Sequence, residues 1–190
     1  MSMEAIETIE TDLGTLRIFR DEDAESPFEM YDNLGTIYHW HRRYNLGTEV
    51  RDEEEIPKGI RLPVYLYDHS GITLNTSGFS CGWDSGQVGW IVAEFDKVRE
   101  QYNCKGINPA TRKKVLKVLK AEVETYARFL EGQVYGYILT APPPSPCGEC
   151  GKPHEPEEVD SCWGFIGHLD DNMIEDMLGN SGAKRIEVAA

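Results

Sequence analysis

Residues 62–92 read LPVYLYDHSGITLNTSGFSCGWDSGQVGWIV, and this stretch places two apolar strands on either side of a glycine-rich segment. The run 62–67 is rich in β-branched and aromatic side chains, and Pro63 stands near the strand start, where proline is tolerated. Residues 68–71 have the composition of a turn, and 88–92 has that of the next strand. Five glycines between positions 71 and 89 predict a loop whose backbone turns repeatedly or closely approaches another group.

More strands are predicted outside this stretch. Residues 6–11 and 16–19 alternate apolar and polar side chains around Asp12-Leu13-Gly14, a pattern typical of a β-hairpin. An acidic, solvated loop is predicted for residues 21–32. Apolar runs predict the other strands at 35–40, 134–139 and 159–165.

The segment 142–158 joins the last two predicted strands. It is rich in proline and glycine and carries Cys147 and Cys150. We therefore predict a long hairpin with a cysteine-containing tip over residues 142–158.

Cap residues and apolar periodicity predict two to three helices. A short helix is predicted near 94–102. Asn108 and Pro109 suit the N-cap and first position of a long helix that ends at Gly132. Asp170 or Asp171 can cap a last helix, which Gly179-Asn180 ends.

The order of these elements indicates the fold class. Strands interrupted by a few helices are typical of an α+β fold with a largely antiparallel sheet. The length of 190 residues allows one sizeable hydrophobic core, so we predict a single domain over residues 1–190.

The long helix is predicted to be amphipathic, because at about 100° per residue its apolar and basic side chains separate. The apolar stripe comprises Leu116, Leu119, Val123, Tyr126, Ala127 and Leu130. The opposite side comprises Arg112, Lys113, Lys114, Lys117 and Lys120.

The chain is strongly acidic, with 19 Lys and Arg against 33 Asp and Glu and a formal net charge of −14. Residues 1–60 carry 15 acids and 6 bases, residues 61–140 carry 8 and 10, and residues 141–190 carry 10 and 3. Such a field disfavours direct nucleic-acid binding unless the middle third presents a local basic face. It favours basic protein partners, including a nuclease cleft that the carboxylates could enter as a DNA mimic; acidity that only maintains solubility is the plainer alternative.

The sequence predicts a cytoplasmic protein. No apolar run approaches the roughly 20 residues of a membrane span, and the first residues lack the pattern of an export signal. The five cysteines are an odd number, so we expect reduced thiols rather than a disulfide framework. Oligomeric state is not indicated.

The motif Cys147-Gly148-Glu149-Cys150 is typical of a zinc knuckle, because two thiolates in this spacing present both sulfurs to one tetrahedral ion. His154 and Cys162 would supply the missing ligands of a structural zinc site. Alternatives to Cys162 are Asp160, His168 or water. Two free thiols at a hairpin tip is the competing interpretation, with a redox pair less favoured because no βαβ pattern surrounds it.

Three candidate chemistries involve the glycine-rich loop and its surroundings. Cys81, His69 and Asp84 are the residue types of a nucleophilic hydrolase site. Asp68, His69 and Asp84, with His39 or His41, could instead hold a divalent cation for phosphoester hydrolysis. The residues suited to a phosphate or carboxylate ligand are His41, Arg42, Arg43 and Gln87. A plainer alternative is that the two arginines pair with the many nearby carboxylates, and that Cys81 is a small core side chain.

Several strings occur together that resemble a family of small uncharacterised proteins of bacteriophages and prophages. They are 32–36 (DNLGT), 40–47 (WHRRYNLG), 66–71 (LYDHSG), 79–89 (FSCGWDSGQVG), 121–126 (AEVETY) and 161–165 (SCWGF). The resemblance implies expression in the host cytoplasm and an accessory role, but no reaction, and the zinc knuckle is not among these strings.

The expected function is therefore a phage-type accessory protein that binds a host macromolecule or a small nucleotide ligand, for host takeover or anti-defence. The alternative is a hydrolase of a phosphoester or amide centred on His69, Cys81 and Asp84. The residues expected to bind are His41, Arg42, Arg43, Asp68, His69, Cys81, Asp84 and Gln87.

Overall fold

A computed structural model describes residues 4–146 and 154–186, and the chain forms two compact units. The central unit is Glu25–Glu131, and the terminal unit combines Met1–Ala24 with Gly132–Ala190. That residues 1–190 form a single domain stays a prediction. The strands are β1 Glu7–Thr11, β2 Gly14–Arg20, β3 Thr36–His39, β4 Thr48–Glu49, β5 Gly59–Asp68, β6 Ile72–Asn75, β7 Ser85–Glu94, β8 Val134–Thr140 and β9 Glu158–Ile166. The helices are α1 Pro27–Met30, α2 Phe95–Gln101, α3 Pro109–Leu130 and α4 Asp171–Ser181, with a 3-10 turn at Glu53–Glu55.

The terminal unit is an antiparallel sheet with strand order β1-β2-β8-β9. Its core joins inward side chains of the sheet, such as Leu16 and Leu139, to Met177 of α4. Tyr137 is fully buried in this cluster, and its hydroxyl donates to Asp160 Oδ2 at 2.6 Å. A buried hydroxyl needs such a partner, so the bond explains how a tyrosine can occupy the centre of the core.

The central unit is a five-stranded sheet with strand order β4-β3-β7-β5-β6. All neighbours are antiparallel except β3 and β4, which are parallel. Helix α3 contributes Val115, Leu119 and Val123 to the same buried cluster as Val64 and Ile91 of the sheet. Burial of this apolar stripe, rather than intrinsic helix propensity, supplies most of the stability of such a helix.

Helix α3 confirms the predicted caps. The Asn108 side chain accepts a hydrogen bond from Thr111 N at 2.8 Å, and Gly132 follows the helix with a φ of 69°. Leu116 is only partly buried, whereas Val115, which the predicted stripe omits, is fully buried. Within the described ranges, no helix is both long and apolar enough to cross a membrane.

The predicted α+β class with largely antiparallel strands is confirmed, but several details differ. The strands divide between two sheets, because residues 25–131 complete a sheet of their own between β2 and β8. The predicted acidic loop contains α1, which Ser26 caps by accepting from Phe28 N. Strand β6 lies inside the predicted glycine-rich loop. It could not be predicted because its four residues are too few to be recognised as a strand without their pairing to β5.

Candidate functional site

One end of the central sheet gathers three segments that are far apart in sequence. Strands β3 and β5 both run antiparallel to β7, so their C-terminal ends lie beside its N-terminal end. His39 pairs with Gly89, and Tyr67 pairs with Ser85. The loops that leave β3 and β5 therefore meet the loop that enters β7.

A pocket of about 440 Å³ lies at this strand end. We call it the Trp83 site. Its lining includes four of the predicted binding residues, together with an exposed tryptophan: His41, Arg43, Asp68, Asp84 and Trp83. The structure thus brings together side chains that span more than forty positions of sequence.

Asp68 organises one side of the Trp83 site. Its Oδ2 accepts from Arg43 Nη1 at 3.1 Å and from the Tyr44 hydroxyl at 3.1 Å. Burial, followed by this hydrogen bond, raises the pKa of Tyr44 above its usual value, while the Arg43 charge lowers it. The structure therefore agrees with the plainer alternative for Arg43, in which this arginine pairs with a carboxylate.

His41 orders the loop that carries Arg43. Its Nδ1 accepts from the backbone N–H of Arg43 at 3.4 Å and of Tyr44 at 3.3 Å, and its ring stacks on Tyr44 with centroids 5.3 Å apart. His39 supports the same loop from inside the unit, because its Nε2 accepts from Leu46 N at 3.3 Å. With 2% of its surface exposed, His39 is a structural residue rather than a ligand for a solvent-borne ion.

Asp84 organises the other side of the Trp83 site. Its Oδ2 lies 3.5 Å from His69 Nδ1 and 3.8 Å from Cys81 Sγ. In the described part of the chain, Cys81 makes no hydrogen bond to His69. The thiol and the imidazole thus share a carboxylate oxygen, whereas an activated cysteine nucleophile needs the imidazole itself as its base.

The backbone holds Asp84 beside Asp68. Asp68 N donates to Asp84 O at 2.8 Å, and the Ser85 hydroxyl donates to Cys81 O. Each carboxylate uses its Oδ2 for the contacts described above, and neither Oδ1 has a hydrogen bond or ion pair with any described residue. Both carboxylates therefore retain an acceptor for a bound group.

Trp83 is the most unusual side chain of the site, because 98% of its surface is exposed. It projects from the loop between β6 and β7, next to Asp84 in sequence and in the pocket wall. Tryptophan carries a large apolar surface and one donor, and it is strongly enriched at the centres of protein interfaces.

Four of the predicted binding residues do not line the pocket, namely Arg42, His69, Cys81 and Gln87. His69 and Cys81 contact Asp84 of its wall. Gln87 donates from Nε2 to Gly89 O at 3.2 Å, within its own strand. Arg42 is exposed, and among the described residues it has no hydrogen bond or ion pair through its side chain. Tyr44 and Trp83 were not predicted as site residues. The tryptophan could have been recognised, because a large apolar side chain in a glycine-rich loop indicates exposed apolar surface.

The predicted zinc site falls largely outside the described residues, since Cys147 and Cys150 belong to the undescribed segment. His154 is exposed just before β9. Cys162 lies opposite Tyr137 and packs against the apolar cluster of the terminal unit.

The described ranges 4–146 and 154–186 contain no group of three potential ligands placed around one ion. Asp160 already accepts the Tyr137 hydroxyl, and His168 is exposed, so zinc binding stays a prediction.

Comparison with protein-family models, curated proteins and solved structures found no match.

Proposed function

We propose that this chain is an accessory binding protein of the phage type, which docks a host protein at the Trp83 site in the host cytoplasm. The observation that carries the proposal is the 98% exposure of Trp83 beside two carboxylates, Asp68 and Asp84, in one pocket. An exposed tryptophan surrounded by polar groups is the composition of an interface centre.

The electrostatics favour a basic partner. Two carboxylates face one arginine, Arg43, in the pocket wall, and Arg43 already pairs with Asp68. The net charge of −14 adds a field that attracts cations at low ionic strength. A partner arginine or lysine can bind the free carboxylate oxygen of Asp84 and lie over the Trp83 ring in a cation–π contact.

A small nucleotide is the less favoured ligand. Its phosphate would need a guanidinium without a carboxylate partner, and Arg43 has Asp68 at 3.1 Å. A uniformly acidic DNA mimic is also less favoured, because the basic side chains of α3 are exposed.

Replacing Trp83 by alanine is expected to weaken binding of an arginine- and lysine-rich peptide by at least about tenfold, because the largest exposed contact is lost. Titration calorimetry measures this at fixed salt. Asp84→Asn should weaken binding several-fold, and Asp52→Asn, which removes the same charge from an exposed turn elsewhere, should leave it unchanged. Equal affinity for Trp83→Ala and the parent protein would mean that net charge alone attracts the peptide.

A nucleotide ligand is tested with the same proteins. Titration with adenosine monophosphate should show no binding by the parent protein. Binding that Arg43→Gln abolishes would replace the protein partner by a nucleotide.

Hydrolysis is the second candidate function, supported by the convergence of His69 and Cys81 on Asp84 Oδ2. Because Cys81 bonds to a carboxylate and not to an imidazole, we expect no turnover that depends on its thiol. Assays with p-nitrophenyl phosphate and p-nitrophenyl acetate should show equal, background rates for the parent protein and Cys81→Ala. Turnover by the parent protein that Cys81→Ala removes would establish the hydrolase instead.

A further inference from the structure

The basic side of α3 is the second strongly charged surface of the central unit. Between Gln101 and Ala121 the sequence has six Lys and Arg and no Asp or Glu, in a chain whose net charge is −14. Five of the six lie on α3: Arg112, Lys113, Lys114, Lys117 and Lys120. We call these five residues the α3 basic face.

All five side chains of the α3 basic face are exposed, because the opposite side of the helix is buried against the sheet. Only Lys120 has an ion pair with a described residue, to Glu124 Oε1 at 3.5 Å. The four other cations therefore lack an anionic partner within the described part of the chain.

The spacing of these lysines makes the face repel itself. Lys117 follows Lys113 by four positions and Lys114 by three, and it precedes Lys120 by three. Side chains three or four positions apart are neighbours on a helix, and like charges in such pairs are destabilising. Binding of an anion would relieve this repulsion, so the face is electrostatically suited to a ligand of high negative charge density.

The α3 basic face presents positive charge but few other groups that could select a ligand. The other exposed residues of α3 up to Glu124 are Pro109, Ala110 and Ala121, which have no side-chain hydrogen-bonding groups to read base edges and no aromatic ring to stack on bases. Lysine ammonium groups bind phosphate as point charges. Such a surface fits a regular array of phosphates.

We propose that the α3 basic face binds the phosphate backbone of duplex nucleic acid without sequence preference. From Lys113 to Lys120 the helix rises about 10 Å, at about 1.5 Å per residue. Over that length a duplex presents about six phosphate charges, at one per about 1.7 Å of axis. This inference is independent of the function proposed for the Trp83 site.

The overall charge of −14 does not prevent local contact. At physiological ionic strength the Debye length is about 8 Å, so acidic groups farther away are largely screened. The expected affinity is that of non-specific binding, with a strong dependence on salt.

The test is fluorescence anisotropy of the full chain with two labelled 20-base-pair duplexes of unrelated sequence, across a salt series. We expect equal affinity for both duplexes and a log–log salt slope of about −3, which corresponds to three or four phosphate contacts. The double variant Lys113→Gln/Lys117→Gln should reduce the magnitude of this slope by about two and weaken binding at low salt by at least about tenfold.

The control variant Arg51→Gln/Lys58→Gln removes two exposed cations outside α3 and should leave the slope unchanged. Glutamine is a good helix former and removes like-charge pairs, so the α3 variant should retain its helix content by circular dichroism. Equal losses in both double variants, or no binding at low salt, would overturn the proposal. Tighter binding of a polyglutamate peptide than of the duplexes would also overturn it, in favour of an acidic protein segment.

Discussion

Gly89→Ala is expected to lower the free energy of unfolding by about 3 kcal/mol, the upper end of the range for overpacking a close contact. A Cβ atom at Gly89 would lie 2.2 Å from the backbone oxygen of Tyr38 and 3.0 Å from the His39 Cα. These are atoms of the neighbouring strand β3, which cannot move aside as a flexible side chain does. Strands β3 and β7 would have to separate where β3 leads into the His41 loop.

Gly86→Ala is the matched control, because both glycines lie on β7 and a Cβ at Gly86 meets no atom within 4 Å. Neither glycine has a positive φ, so close approach alone distinguishes them. Gly86→Ala should be neutral or slightly stabilising, since alanine restricts the unfolded chain. Urea denaturation of the two variants measures the difference. Equal unfolding free energies would show that β3 and β7 approach less closely at Gly89 than these distances imply.

Glu122→Ala is the second variant for which we expect a loss of about 3 kcal/mol, because it leaves two backbone donors without their charged acceptor. The Glu122 carboxylate accepts from Leu34 N at 2.6 Å and from Gly35 N at 2.9 Å. It thereby joins α3 to the segment that enters β3. Gly35 also approaches Glu122 closely, since a Cβ there would lie 2.8 Å from Oε2.

Glu124→Ala is the control for this variant. Glu124 lies on the same helix but is exposed, and it pairs only with Lys120, four positions earlier. Such a pair contributes about 0.3–0.5 kcal/mol, so its loss should be small. Denaturant unfolding that gives equal losses for Glu122→Ala and Glu124→Ala would contradict the role assigned to Glu122.

Burial raises the pKa of Glu122, while the bonds from Leu34 and Gly35 and the Lys97 charge lower it in part. A carboxyl whose pKa is higher in the folded state than in the unfolded state binds more protons when folded. Its contribution to stability is therefore present in full below the unfolded pKa of about 4.3, and it decreases as pH rises through the higher folded pKa. The stability difference between the parent protein and Glu122→Gln, measured by urea denaturation, should accordingly favour the parent more at pH 4.5 than at pH 7.5.

Much of the fold could be predicted because its signals are local. The caps at Asn108 and Gly132, the alternating pattern of residues 6–11 and the turn at 68–71 all depend on neighbours in sequence. The division of the strands between two sheets could not be predicted, because it depends on which strands pair over long distances. Strand β6 could not be predicted for the same reason, because its four residues form a strand only when they pair with β5.

The residue types of the candidate site could be predicted from the sequence, whereas their grouping in space could not. Charged and titratable side chains among glycines and turns are recognisable as functional candidates. Residue type alone therefore predicted His41, Arg43, Asp68, His69 and Asp84. Their grouping required the antiparallel placement of β3 and β5 on either side of β7.

The sequence by itself determined the α+β class, the acidic charge and the amphipathic helix with its basic side, because composition, periodicity and caps act over a few residues. Only the tertiary structure decided that Arg43 pairs with Asp68, that Asp84 lies between Cys81 and His69, and that Trp83 is left exposed. Partners and exposure depend on which segments meet in space, and strand pairing across the sheet brings those segments together.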